Sequence, residues 1–188
     1  IGSIQNLKKH VEKQGHSLKF AMNGGMFKSD LSPQGLYIEN SRILSPIDTN
    51  NGEGNFFLKP NGIFYFNKNN EVFICKTNEF LFNANINFAT QSGPMLLLNG
   101  EIHPAFKKGS TNLNIRNGVG ILENNKVIFA LSKVEINLYD FAQFFQYMGC
   151  KNALYLDGYV SRAYFPEKQW IQTDGNFGVM IGVTNKSK

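Results

Sequence analysis

The sequence predicts a single α+β domain, a mixed or antiparallel β-sheet core with a few helices packed against it. Three observations carry that expectation. The chain has 188 residues, one ordinary domain's worth, with 42% apolar and 18% charged side chains, so it can build a sizeable core and is not globally disordered. Short apolar runs recur between Asn- and Gly-rich turns, which is the pattern of strands joined by hairpins. Only two segments carry a helical period. No Ser- or Pro-rich linker and no block of like charge divides the chain, so residues 1–188 read as one unit.

Taken in order, Ser3 to Gln14 is expected to be a helix, with Leu7 and Val11 on one face and Gly15 as its stop. Strand signals follow at Leu18–Met22, Gly35–Glu39, Phe56–Leu58 and Ile63–Phe66. Val72–Cys75 returns across an Asn-rich turn as a hairpin partner. Met95–Leu98 and Glu101–His103 flank Asn99-Gly100, a pair suited to the positive φ angles of a type I′ turn. Val119–Glu123 and Lys126–Leu131 make a third hairpin around Asn124-Asn125. Leu138–Gly149 is the second helix: Asn137 can cap it, Asp140 suits its positive end, and Leu138, Phe141, Ala142, Phe145 and Met148 form an apolar face. Ala153–Leu156 and Phe177–Val183 are apolar enough to be central strands.

The net charge of +5 comes from sixteen Lys and three Arg, the Lys scattered through turns such as 67–70 and 124–126. That describes a solvated surface, not the concentrated stripe of a nucleic-acid binder, so no nucleic-acid partner is expected. No run reaches the roughly 20 apolar residues of a membrane-spanning helix. The chain does not open with a charged and then apolar leader, and a leader or anchor removed ahead of Ile1 is compatible with that. Cys75 and Cys150 allow one disulfide or two buried thiols, but no zinc cluster. No cofactor or metal is expected, although a single Ca²⁺ or Mg²⁺ held partly by carbonyls would leave no trace in the sequence.

Chemistry is sought where polar residues end apolar strands, because a strand aims its last side chain rigidly. Asn23-Gly24-Gly25 follows the first strand and offers backbone amides to a ligand oxygen. Thr90-Gln91-Ser92 precedes a Gly-Pro bend; a Ser nucleophile there would need a base, and His103 is the histidine outside the N-terminal region. Arg116-Asn117 opens a strand, where a guanidinium suits phosphate or carboxylate. Asp157 ends Leu154-Tyr155-Leu156 and is followed by Gly158, then Ser161 and Arg162. Of the five Asp, Asp140 is explained by helix charge and Asp30, Asp48 and Asp174 fall in loops, which leaves Asp157 as the strongest catalytic carboxylate. Glu39 and Glu101, also at strand ends, rank second.

Five motifs occur together in the order Asn23-Gly24-Gly25-Met26-Phe27, Phe57-Leu58-Lys59-Pro60-Asn61-Gly62, Ala89-Thr90-Gln91-Ser92-Gly93-Pro94-Met95, Arg116-Asn117-Gly118-Val119-Gly120 and Ala153-Leu154-Tyr155-Leu156-Asp157-Gly158. In that order the chain resembles the phosphodiester glycosidase domain family, its short bacterial branch most closely, over roughly residues 21–183. The resemblance implies a hydrolase releasing a sugar from a sugar-1-phosphodiester, best known for N-acetylglucosamine, and an extracytoplasmic setting (periplasmic, secreted or surface-attached). This chain has Tyr159 and Val160 where the best-known reaction uses a glycine-rich run, which puts N-acetylglucosamine itself in question.

The expected mechanism assigns Asp157 to the anomeric centre and Arg116 to the departing phosphate, assisted by Ser92 and the Gly24 and Gly25 amides. Asn23, Thr90, Gln91, Asn117, Ser161 and Arg162 complete the expected substrate-binding set. Two alternatives stand beside it. One is a glycosidase acting on an unphosphorylated cell-wall or surface polysaccharide, with Glu39 or Glu101 as the acid. The other is a non-catalytic glycan-binding module, marked by exposed aromatics along a groove.

Overall fold

A computed structural model describes residues 2–158 and 160–186. The first helix, α1 (Ile4–Lys13), begins at Ser3, whose hydroxyl accepts from the Asn6 amide, and buries Ile4 and Val11. It is followed by β1 (His16–Asn23), β2 (Tyr37–Glu39), β3 (Arg42–Ser45), β4 (Gly62–Asn67), β5 (Val72–Lys76), β6 (Ile86–Ser92), β7 (Met95–Leu98), β8 (Glu101–Ile102), β9 (Asn117–Ile121) and β10 (Val127–Leu131). Then come α2 (Leu138–Tyr147), β11 (Asn152–Tyr155), β12 (Ala163–Phe165), β13 (Trp170–Ile171) and β14 (Met180–Lys186). The domain is α+β, and every strand pairing is antiparallel.

The strands form three sheets, ordered β13-β12-β1-β14, β10-β9-β11-β7-β8 and β3-β2-β6-β4-β5. One core cluster, including Met22, Phe64, Met95, Val119, Leu154 and Leu156, draws residues from all three and holds them together. A second cluster packs Phe141, Ala142 and Phe145 of α2 onto Leu96, Leu97 and Ala153. As expected, Asn137 caps α2 by accepting from the Asp140 amide at 2.8 Å. At the β7–β8 turn Asn99 and Gly100 both take positive φ, 51° and 89°, as the Asn-Gly pair requires.

Several expectations are corrected. Phe56–Leu58 is not a strand: Asn55–Phe57 is a 3₁₀ turn in which the Phe56 and Phe57 rings meet edge to face, centroids 5.0 Å apart. Phe177–Val183 is not a central strand. β14 starts at Met180, lies at the edge of its sheet, and is exposed from Gly182 onward. Thr90-Gln91-Ser92, read as polar residues before a Gly-Pro bend, are the end of β6, the middle strand of its sheet. Cys75 and Cys150 are free thiols, Cys150 buried beneath α2. Among the described residues no helix is long and apolar enough to cross a membrane.

Candidate active site

Four strand ends converge. β1 ends at Asn23, β6 at Ser92, β9 begins at Asn117, and β11 runs out towards Asp157. Backbone bonds stitch them: the Leu156 amide donates to the Asn117 carbonyl at 3.0 Å, Tyr155 to Pro94 at 3.0 Å, and Asp157 to Gly24 at 3.2 Å. Asn23, fully buried, ties the rim together, since its Nδ2 donates to the Asp157 carbonyl while its Oδ1 accepts from the Arg162 amide at 3.1 Å. Asn117 Nδ2 reaches the Asn23 carbonyl at 3.3 Å. Apolar strand residues adjoin these polar ends, Met22 before Asn23, Val119 after Asn117 and Leu156 before Asp157, and all three lie in one core cluster that fixes where the ends meet.

Asp157 is half-buried, and burial pushes its carboxyl up to about 6. A carboxyl with that pKa is still ionised for most molecules at neutral pH and can receive a proton, which is the profile of a general base.

Arg116 differs from expectation. It is 2% exposed and encased in neutral acceptors: Nε donates to the Ile136 carbonyl at 3.1 Å, Nη1 to the Tyr155 hydroxyl at 3.2 Å, and Nη2 to the Asn112 carbonyl and Oδ1 at 3.0 and 3.2 Å. Its guanidinium also lies 5.5 Å from the Tyr155 ring centre. No carboxylate pairs with it among the described residues. Its charge is therefore uncompensated but enclosed, so in this conformation it does not clamp a substrate directly.

The Gly24 amide, expected to face a ligand, donates to the Val179 carbonyl at 2.9 Å. Gly25 lies directly on Thr90, whose Oγ1 would be 2.1 Å from an added Cβ. Thr90 lines an apolar cavity of about 600 Å³ between sheets, together with Phe64, Phe88, Phe129 and Ile181. Asp157 and Arg116 are not part of that lining. Gln91 is committed to the scaffold: its Oε1 accepts from the Leu36 and Asp48 amides, both at 2.9 Å, and its Nε2 donates to the Asp48 carbonyl and Thr77. Ser161 turns its hydroxyl inward to the Gly158 carbonyl at 2.5 Å.

Among the described residues Ser92 Oγ, Asn117 Oδ1 and His103 Nε2 are buried without a hydrogen-bond partner. Ser92 thus has no base among them, and His103 accepts at Nδ1 from the Ala105 amide at 3.2 Å. Glu39 is exposed on β2, in register with Arg42 and placed towards the Ile86 end of β6, away from Ser92. Glu101 is exposed beside the Asn99-Gly100 turn, where the Gly100 amide donates to the Lys151 carbonyl before β11 begins. That is the opposite end of β11 from Asp157. Among the described residues no group of three or more His, Cys, Asp or Glu is placed to hold a metal ion. Tyr159, flagged in the sequence for its bulk, lies outside the described residues.

Two contributors escaped the sequence reading. Tyr155, read only as part of an apolar strand, accepts from Arg116 at its hydroxyl. Asp174 was dismissed as a loop residue, yet it pairs with Arg162 at 3.0 Å.

The fold is thus an antiparallel α+β domain whose strand ends bring Asn23, Asn117 and Asp157 together. The chain matches the phosphodiester glycosidase family over residues 16–184 and belongs to it. Among curated relatives, the uncharacterized protein YigE of Escherichia coli K12 is 39% identical over 164 residues, 87% of this chain and 64% of that protein. The chain thus spans less than two thirds of that relative's length. The fold is similar to the catalytic domain of zebrafish N-acetylglucosamine-1-phosphodiester alpha-N-acetylglucosaminidase, auto-inhibited by its pro-peptide. That match has a TM-score of 0.62 and 17% identity, and covers 88% of this chain and 63% of the other. A hypothetical protein from Synechocystis matches with a TM-score of 0.55 and 14% identity over 97% of this chain and 53% of its own.

Proposed function

We propose that this chain hydrolyses a sugar-1-phosphodiester at the anomeric carbon. The observation that carries the proposal is Asp157: a half-buried carboxyl with a pKa raised to about 6, on a residue whose backbone carbonyl and amide are pinned by Asn23 and Gly24 where four strand ends meet. Membership of the phosphodiester glycosidase family supports the reaction class.

In the proposed step Asp157 removes a proton from water as the water oxygen bonds to the anomeric carbon. The bond from that carbon to the phosphate oxygen breaks, and its electron pair leaves with the phosphomonoester, which later takes up the proton. A phosphate leaving group is weakly basic and needs little acid assistance, which suits a site with one carboxylate. Arg116 contributes as an uncompensated buried charge that lowers the energy of the departing anion through a low-dielectric layer. A polysaccharide glycosidase would instead need a second carboxylate within about 5–9 Å. Glu39 and Glu101 lie at other ends of their sheets, which disfavours that alternative.

The test is an NMR time course of the purified protein with a panel of sugar-1-phosphodiesters, with and without EDTA, beside Asp157→Asn. Release of free sugar and a phosphomonoester by wild type alone supports the proposal. Turnover by the variant at the wild-type rate sinks the role of Asp157, and loss on EDTA treatment adds a metal.

A further inference from the structure

Arg162 is the guanidinium of this site that solvent reaches, with a side chain 39% exposed where Arg116 is enclosed. Asn23 holds it in place, one side chain bonding both the Arg162 amide and the Asp157 carbonyl. The guanidinium is only partly used. Nε donates to both oxygens of Asp174 at 3.0 Å, and Nη1 donates once, to the Ser161 carbonyl at 3.0 Å. A guanidinium has five N–H groups in a fixed plane. The second N–H of Nη1 and both on Nη2 therefore meet no partner among the described residues. They form the terminal edge, where one N–H from each nitrogen runs parallel, the geometry that receives two oxygens of one phosphate.

Asp174 gives that edge its direction. The ion pair is exposed on both sides and contributes little to stability. What it does is grip the Nε side and fix the plane, so the opposite edge stays open. Resting on the phosphodiester reading above, we infer that Arg162, aimed by Asp174, is the anion-receiving group of this site and takes the substrate phosphate on its Nη1–Nη2 edge. Arg116 then acts from behind the surface, and the two cations have separate tasks.

Inorganic phosphate is the probe, titrated by NMR into wild type, Arg162→Ala, Arg162→Lys and Asp174→Asn. Removing the Arg162 side chain leaves its backbone amide bonded to Asn23, so the variant is expected to fold, and its unfolding curve checks this. Arg162→Ala should weaken phosphate binding about 10- to 100-fold, the loss expected for two charge-assisted hydrogen bonds. Arg162→Lys keeps the charge without the fork and should recover only a minor part. Asp174→Asn replaces the charged two-oxygen grip on Nε by one neutral oxygen, so the edge is aimed less well and phosphate should bind more weakly even though a negative charge has gone. Wild-type affinity in Arg162→Ala overturns the inference, wild-type affinity in Arg162→Lys overturns the two-pronged contact, and binding at least as tight as wild type in Asp174→Asn overturns the aiming role of Asp174. The two readings separate cleanly. Phosphate held through Arg162 with no turnover of any sugar-1-phosphodiester removes the proposed reaction alone, whereas turnover with an unchanged KM in Arg162→Ala removes this inference alone.

Discussion

Arg116 donates from Nη1 to the hydroxyl of Tyr155 at 3.2 Å, and that hydroxyl packs against Gly158, 2.3 Å from where a Cβ would stand. A buried cation is thus held by a neutral oxygen that lies on the turn following Asp157. Burial raises the pKa of Tyr155 more than Arg116 lowers it, so the phenol stays protonated at neutral pH and the guanidinium keeps its charge uncancelled.

Arg116→Ala takes the guanidinium donor from the Asn112 carbonyl and the Tyr155 hydroxyl, and leaves the Ile136 carbonyl only the Asn114 amide at 3.3 Å. Unpaired buried groups cost about 1–3 kcal/mol each before relaxation, so a net loss of about 2–4 kcal/mol is expected. Urea unfolding measures it. Tyr155→Phe keeps the ring and should cost about 1–2 kcal/mol. Equal stability of Arg116→Ala and wild type would show that these bonds are not what holds the 112–116 and 132–136 segments.

The raised pKa of Asp157 gives two opposite pH effects. Activity through an ionised base should climb as pH rises through about 6 and level off above it. Stability moves the other way. Between the unfolded value near 3.8 and the folded value near 6 the native state holds the proton and the unfolded state does not, so stability falls as pH rises through that window. Asp157→Asn should therefore unfold at a higher temperature than wild type at pH 7.5, by on the order of 1–3 kcal/mol, with the gap closing by pH 4. The same variant should lose about 10²–10⁴-fold in kcat. Differential scanning calorimetry at both pH values checks the first statement and steady-state kinetics the second.

Gln91 fastens the 46–50 segment to the centre of its sheet through the Asp48 amide and carbonyl. Gln91→Glu replaces two donors by acceptors facing the Asp48 carbonyl and Thr77, and should loosen that segment while β6 stays paired. Amide hydrogen exchange at Asp48 should quicken by at least tenfold, a change of about 1.4 kcal/mol in local opening. Unchanged exchange would mean that Asp48 is held by something other than Gln91.

Gly25→Ala places a Cβ 2.1 Å from Thr90 Oγ1 and 2.7 Å from the Gln91 carbonyl. Backbone cannot yield as a flexible side chain does, so a loss of about 1–3 kcal/mol is expected, read as a lower melting temperature. An unchanged melting temperature would show that β1 and β6 can part at this point.

Elements whose signals are local were legible in the sequence. Asn137 and the spacing of Phe141, Ala142 and Phe145 marked α2, and Asn99-Gly100 marked its hairpin. Position within a sheet was not legible. Met180 and Ile181 point to opposite faces and pack against different core clusters, as the residues of a central strand would, so the sequence does not show that β14 is an edge. Asp157 and Asn23 stood out because each follows an apolar strand. The surroundings of Arg116 did not, since the Asn112 and Ile136 carbonyls that hold it are backbone groups with no side-chain signature. Arg162 and Asp174 lie twelve residues apart, and only the β12–β13 hairpin brings them together.

The Asn23 side chain reaches 134 positions along the chain to the Asp157 carbonyl, and β1 lies between β12 and β14. During synthesis β1 emerges early but has no neighbouring strand in its sheet until the last third of the domain has been made. The carboxylate is therefore aimed only after the final strands close, and no N-terminal fragment ending before β12 can carry the site. Closure of the bond from Asn23 to Asp157 would therefore report that β1, β12 and β14 have come together.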